Sequence, residues 1–249
     1  MSNTFFRFKR FRIEQGGAAM KVGTDGVLLG AWSRMEAAQH HILDIGTGTG
    51  VIALMLAQRR ETLAGREDAA FQVDAVEIDA DAFRQAADNV AASPWSAHIR
   101  LFHTDFQSFA TDPKNCRRYD HILSNPPYYA GSLHGPDAGR NRARHADTLP
   151  YDTLVEGAAR LLAPGGIFSV ILPVAESKNF MTRALAAGLH PRRRTEVSTT
   201  PGAPPKRILL ELGMEITALE TESLTLSDTS GNGFSEAYRA LTGEFYLNF

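Results

Sequence analysis

Asn125, Pro126, Pro127 and Tyr128 stand in succession, and their chemistry suits the handling of an amino group. Two consecutive prolines hold φ at about −65° and carry no N–H, so the chain runs on in a stiff extended path whose carbonyls no local donor claims. An Asn amide oxygen beside a Pro carbonyl offers two acceptors to one NH₂ group. The Tyr128 ring offers a stacking surface for the planar group that bears it. An exocyclic amine or a carboxamide fits this arrangement. Alone, the same residues read equally as a Pro-rich turn with an Asn cap and a core Tyr. The elements that must position them separate the two readings.

Residues 119–124, just before Asn125, have the apolar character of a buried strand. Residues 41–45 form another such run and lead into Gly46, Gly48 and Gly50, followed by the apolar helical stretch 51–58. Glycines at alternate positions let the backbone pass close beneath a ligand and open the helix with its N–H groups exposed. Their spacing matches neither the dinucleotide fingerprint nor the phosphate loop, and no Lys-Ser or Lys-Thr follows. Asp44 at the strand end suits a cationic group better than a phosphate, and S-adenosylmethionine carries both an ammonium and a sulfonium. Residues 71–79 read as a second strand, and Glu77 near its end can take both ribose hydroxyls of a nucleoside. A third strand at 98–103 precedes Asp105, which can read an adenine amine. Each acid singly serves as well as a cap or a solvated loop residue. Three at successive strand ends make a pattern.

Helices are expected at 81–92, 151–162 and 176–187, the last closed by Gly188, and strands at 167–172, 189–198 and 206–214, with a turn at 163–166. The alternation of strands and helices predicts an α/β fold with a mostly parallel sheet and its ligand at the strand C-termini. Residues 5–13 mix Phe with Arg and Lys and read as the first arm of a hairpin that turns at Gly16-Gly17. The loop 129–150 carries Arg140, Arg142, Arg144 and His145. It is too long for a connector and reads as a lid or substrate loop, or else as a solvated insertion. The tail beyond Glu215 alternates only weakly.

A chain of 249 residues, 43% hydrophobic and 22% charged, fits one globular domain: a basic aromatic hairpin (1–22), a cofactor and catalytic core (23–214) and an acidic C-terminal extension (215–249). The apolar runs are too short to span a bilayer and the start has no signal-peptide core, so a cytoplasmic protein is expected. The single Cys116 excludes an internal disulfide, and the histidines lack metal-ligand spacing, so no metal is expected. Net charge is only −2, yet bases gather at Arg7, Lys9 and Arg10, at Arg140 to Arg144, and at Arg192, Arg193 and Arg194, while the tail is acidic. A near-neutral chain of this kind can present a basic face to a polyanion.

Asp44 to Gly50, Glu77, Asp105 and the Asn125 to Tyr128 stretch resemble, in order and spacing, the motifs of class I S-adenosylmethionine-dependent methyltransferases. The resemblance implies a Rossmann-like, seven-stranded, mostly parallel sheet with helices on both faces and the last strand antiparallel. It also implies S-adenosylmethionine as cofactor, held by Thr24, Asp44, Gly46, Gly48, Gly50, Glu77, Asp105 and Asn125, and an amino target handled by Asn125, Pro126 and Tyr128. The basic aromatic start, the run from Lys21 to Trp32, the Arg142-Ala143-Arg144-His145 loop and the ending from Ala240 to Phe249 look like the bacterial tRNA (adenine-N6)-methyltransferases acting beside the anticodon of a valine tRNA. That implies a tRNA partner, gripped by Arg7, Lys9, Arg10, Arg140, Arg142, Arg144, His145, Arg192 and Arg193, and a monomeric enzyme. Two alternatives remain at this point: a glutamine N5-methyltransferase of a release factor, whose carboxamide fits the same site, and a non-catalytic RNA-binding module on a methyltransferase fold.

Overall fold

A computed structural model describes residues 4–16, 21–36, 38–64, 71–127, 149–230 and 233–249. A short antiparallel hairpin, β1 (Phe5–Arg7) and β2 (Arg12–Glu14), precedes helix α1 (Thr24–Trp32). There follow β3 (His41–Ile45), α2 (Val51–Ala64), β4 (Gln72–Glu77), α3 (Ala80–Ala91), β5 (Ile99–His103), α4 (Phe106–Thr111) and β6 (Tyr119–Ser124). The remainder is α5 (Tyr151–Leu161), β7 (Leu162–Pro173), α6 (Val174–Ala186), β8 (His190–Ser198), β9 (Arg207–Gly213), β10 (Glu220–Thr225) and α7 (Glu236–Thr242).

The central sheet runs β10-β8-β9-β7-β6-β3-β4-β5, and only β9 opposes its neighbours. The expected seven strands are therefore eight. β10 adds to the edge beside β8 through residues whose side chains are mostly exposed, with Leu224 buried. An edge strand with one buried side chain leaves almost no alternation in the sequence; it is held by its main-chain ladder with β8, and Glu222 meets Arg193 and Glu220 meets Arg34 beside it.

Side chains alternate between two cores. Ile42, Val73, Ala75, Leu123 and Ile171 face one layer, which holds α1, α2 and the hairpin, whereas Leu43, Ile45, Val76, Ile122, Val170 and Leu172 face the layer of α4, α5 and α6. Both faces of the inner strands are covered, which is why these strands read as continuous apolar runs.

Two turns differ from expectation. The hairpin reverses at Phe8 to Phe11, where the Phe8 N–H donates to the Phe11 carbonyl, because Phe8, Phe11 and Ile13 all bury inward. Residues 163–166, expected as a turn, lie within β7, where Gly165 takes a positive φ of 78°. Phe8 bridges Tyr246, and the Lys9 ammonium donates to the main-chain oxygens of Gly243 and Phe249, so the two chain ends pack on each other.

Candidate active site

Ser124 pairs with Ile45, Ile45 with Val76 and Val76 with Phe102, so β6, β3, β4 and β5 finish together along one edge. The glycine loop after β3, Glu77 ending β4, Asp105 after β5 and Asn125 after β6 therefore arrive on the same side of the sheet. Open α/β sheets bind ligands at this edge.

The loop after β3 is built by its glycines. Gly46, Gly48 and Gly50 take φ of 70°, 59° and 82°, a region costly for any residue with a Cβ. A Cβ placed on Gly46 or Gly48 would enter open space, so these two glycines line a cradle, whereas one on Gly50 would meet Ala86 of α3 at 3.6 Å. The backbone N–H of Gly48 donates to Glu77 at 2.8 Å, and the N–H of Asp79 donates to the other Glu77 oxygen at 2.9 Å. The Glu77 carboxylate is thereby fixed beside the loop.

Asp44 is fully buried. One oxygen accepts from the Thr47 hydroxyl at 2.5 Å and the Ala53 N–H at 3.2 Å, while the other has no partner. Desolvation pushes its carboxyl up to about 7, against the pull of those two hydrogen bonds and with a further push from Glu77. A buried carboxylate oxygen without a donor beside an open glycine cradle fits a cationic nucleoside such as S-adenosylmethionine. Asp105 caps α4 through the Ser108 N–H at 2.8 Å, which holds its carboxyl below the usual range, so the cap and the site role fall on one residue.

Asn125 follows β6 half-buried, and Pro126 is buried. The first turn of α1 covers it: a Cβ on Gly26 would lie 4.0 Å from the Asn125 Nδ2 and 3.6 Å from Val51 at the start of α2. Thr24 opens that same turn, exposed. Gly23 caps α1 without any side-chain hydrogen bond, and Asp25 is instead held by Arg207 of β9 at 2.9 Å. The sequence reading missed Asp25, Gly26 and Arg207. Asp25 and Gly26 carry no signal beyond a Gly-rich turn, and Arg207 reaches the site only through the antiparallel placement of β9.

Tyr128, Arg140, Arg142, Arg144 and His145 lie outside the described residues. Of the other bases expected to grip RNA, Arg7 is exposed on the hairpin. Lys9 is tied to the chain's end, and Arg10 pairs with Glu61 at 2.5 Å over the Trp95 ring. Arg192 meets Glu215 at 3.2 Å, and Arg193 grips Glu222 and stacks on Trp32. Arg193 stands level with Glu211 and Ser169, three strands from β6, or about 14 Å away. Among the described residues, no cluster of three or more His, Cys, Asp or Glu could hold a metal, and no helix is long and apolar enough to cross a membrane.

The chain matches the family described as Methyltransferase small domain over residues 23–189. It is 46% identical to the tRNA1(Val) (adenine(37)-N6)-methyltransferase of Bacteroides fragilis over 99% of each chain. It is 43% identical to the protein of that name from Tolumonas auensis, over 99% of this chain and 98% of the relative. Among solved structures it resembles a predicted O-methyltransferase from Agrobacterium tumefaciens, with a TM-score of 0.64 at 18% identity over 89% of this chain and 96% of the other. A type I restriction-modification methyltransferase subunit from Streptococcus thermophilus gives a TM-score of 0.58 at 14% identity over 92% of this chain and 54% of the other. At such identities the structural likeness speaks for the fold alone.

Proposed function

The chain belongs to the tRNA1(Val) (adenine(37)-N6)-methyltransferase family, and we propose that the edge bearing Asn125 is where it methylates the exocyclic N6 of an adenine in tRNA, beside the anticodon of a valine tRNA. The observation that carries this reading is the convergence of the glycine cradle, Glu77, Asp105 and Asn125 on one edge of the sheet. S-adenosylmethionine, when bound, supplies a methyl group on a sulfonium, open to attack by a nitrogen lone pair. Gly46, Gly48 and Asp44 would hold its amino-acid end, Glu77 its ribose and Asp105 its adenine, with Thr24 completing the wall and Gly50 letting the loop pack against Ala86 of α3.

Adenine N6 is a weak nucleophile because its lone pair is shared with the ring. Asn125 Oδ1 and the Pro126 carbonyl each accept one N6–H, which holds electron density on the nitrogen and aims its lone pair. Tyr128 stacks on the base, which must first leave its neighbours; in a loop that costs a few kcal/mol or less. The departing proton becomes acidic as the new bond forms, so this geometry needs no strong general base. RNA is held through phosphates by Arg7 and by Arg140, Arg142, Arg144 and His145. With tRNA as substrate, the cytoplasm is the compartment this reading requires.

The test is to incubate the protein with tritiated S-adenosylmethionine and, separately, with unmodified tRNA or a release factor, and to digest the labelled RNA to nucleosides. Label in N6-methyladenosine is expected. Label in the release factor alone would move the chemistry to a glutamine carboxamide, and no label in either would leave an RNA-binding module.

A further inference from the structure

Asn89 of α3 is 2% exposed and belongs to none of the motifs that mark the site. Its amide nevertheless makes three hydrogen bonds to main chain. Oδ1 accepts from the Glu14 N–H at 2.8 Å, and Nδ2 donates to the Glu14 carbonyl at 2.9 Å and to the Thr49 carbonyl at 2.9 Å. The first two bonds engage both polar groups of one β2 residue, as a neighbouring strand would, and so tie the hairpin to α3. The third reaches into the glycine loop, between Gly48 and Gly50.

The rest of α3 serves the same loop. Its N-cap Asp79 donates its own N–H to Glu77, and Ala86, one turn before Asn89, lies against Gly50. The helix thus touches the cofactor edge at Glu77, at Gly50 and at Thr49. Through Asn89 the Thr49 contact is shared with another element. That element, the hairpin, lies outside residues 23–189, the part common to the wider family.

We propose that Asn89 is a positioning residue that couples the hairpin to the cofactor loop, so that an ordered hairpin strengthens S-adenosylmethionine binding and bound S-adenosylmethionine in turn orders the hairpin. The physical basis is a single planar amide. If Glu14 leaves, Oδ1 loses its donor, Nδ2 is freed to turn, and the Thr49 carbonyl loses the bond that fixes the loop where Gly46 and Gly48 form the cradle. Coupling of this kind is reciprocal by thermodynamic necessity, with the same factor in both directions. The inference rests on the assignment of the cofactor site but not on the identity of the RNA.

Two measurements on the full chain test it, with exchange and cofactor binding read in the absence of RNA. Hydrogen exchange in the unaltered protein should slow at the Glu14 amide by about tenfold when S-adenosylmethionine saturates the site, the scale of one or two hydrogen bonds. In Asn89→Ala the dissociation constant for S-adenosylmethionine should rise by about tenfold, while turnover on tRNA at saturating cofactor stays within about twofold and the hairpin no longer responds to cofactor. A merely structural asparagine would lower turnover and folded fraction together and would not link exchange at Glu14 to the ligand. Binding of S-adenosylmethionine with no change in hairpin exchange would overturn the coupling while leaving the methyl-transfer reading intact. Absence of any binding would remove both. Should Asn89→Ala fail to fold, the exchange measurement on the unaltered chain decides alone.

Discussion

Asn125 and Asp44 share one edge of the sheet but make opposite demands on it. In the proposed function Asn125 acts chiefly on the acceptor amine, so Asn125→Ala should reduce turnover by about two orders of magnitude or more, the effect of losing a preorganised hydrogen-bonding partner. Cofactor binding, measured by calorimetry, should persist, and retained turnover would remove Asn125 from its role. Asp44 is the residue proposed to meet the cofactor, and its burial has a cost. Its folded-state carboxyl is raised from 3.8 to about 7, so between those values the folded chain keeps a proton that the unfolded chain has released. Stability from this group therefore falls as pH rises through that window and is lowest above about 7. Asp44→Asn should gain thermal stability over the parent, and the gap should widen from pH 5 to pH 8. The parent's affinity for S-adenosylmethionine should weaken below about pH 7, approaching tenfold per pH unit as the carboxylate takes up its proton, and the variant should show a flat profile. A parallel pH profile in the two proteins would show that Asp44 does not titrate in this way. Both residues were legible because one lies near the end of an unmistakable apolar strand, the other directly follows one, and each belongs to a short chemical pattern. Asn89 was not legible: an Asn in an amphipathic helix carries no local sign that three main-chain groups from two distant segments will converge on it.

Among the elements, α1 shows best how the sheet places a loop that its own sequence does not fix. The helix starts at Gly23 with no side-chain cap, and Asp25 in its first turn finds Arg207 at the start of β9. That ion pair spans from α1 to the strand beside β7, and the turn it holds covers Asn125 through Gly26. The pair is partly exposed, 32% for Arg207 and 23% for Asp25, so its contribution to global stability is small by the usual measure of surface pairs. Its effect on turnover can be larger, because small displacements beside a reacting group are costly. Arg207→Ala should lower turnover by about tenfold with little change in melting temperature, and Arg207→Lys should recover most of it. An unchanged rate in Arg207→Ala would show that the rest of the packing around α1 holds the turn without this pair. The sequence pattern found α2, α3 and the parallel strands, the strands because both cores draw on them. It missed β10, where a single buried Leu224 leaves no pattern, and it misplaced the hairpin turn because Gly16-Gly17 looked like a stronger signal than the burial of Phe8 and Phe11.

At the scale of the whole molecule, the question is how a chain of net charge −2 holds a polyanion. The sequence offered bases in three places, but the fold uses several of them internally. Lys9 binds the main chain at Gly243 and Phe249, Arg10 pairs with Glu61, and Arg193 closes β10 onto the sheet through Glu222. A cation already paired and partly buried releases no counterion when RNA arrives, so it should not contribute to the salt dependence of binding. Arg7 stays exposed, and with Arg140, Arg142 and Arg144 it forms the set proposed to meet phosphates. If each neutralises one phosphate, the logarithm of the association constant for tRNA should fall against the logarithm of salt with a slope of roughly −3. Arg7→Ala should make that slope shallower by nearly one unit without altering the melting temperature. Arg193→Ala should do the reverse, leaving the slope in place while loosening β10 and lowering the melting temperature, because it breaks the contacts to Glu222, Trp32 and Glu211 together. Filter-binding titrations at several salt concentrations separate the two. A slope that changes with Arg193 and not with Arg7 would move the RNA from the hairpin side of the molecule to the β8–β10 edge.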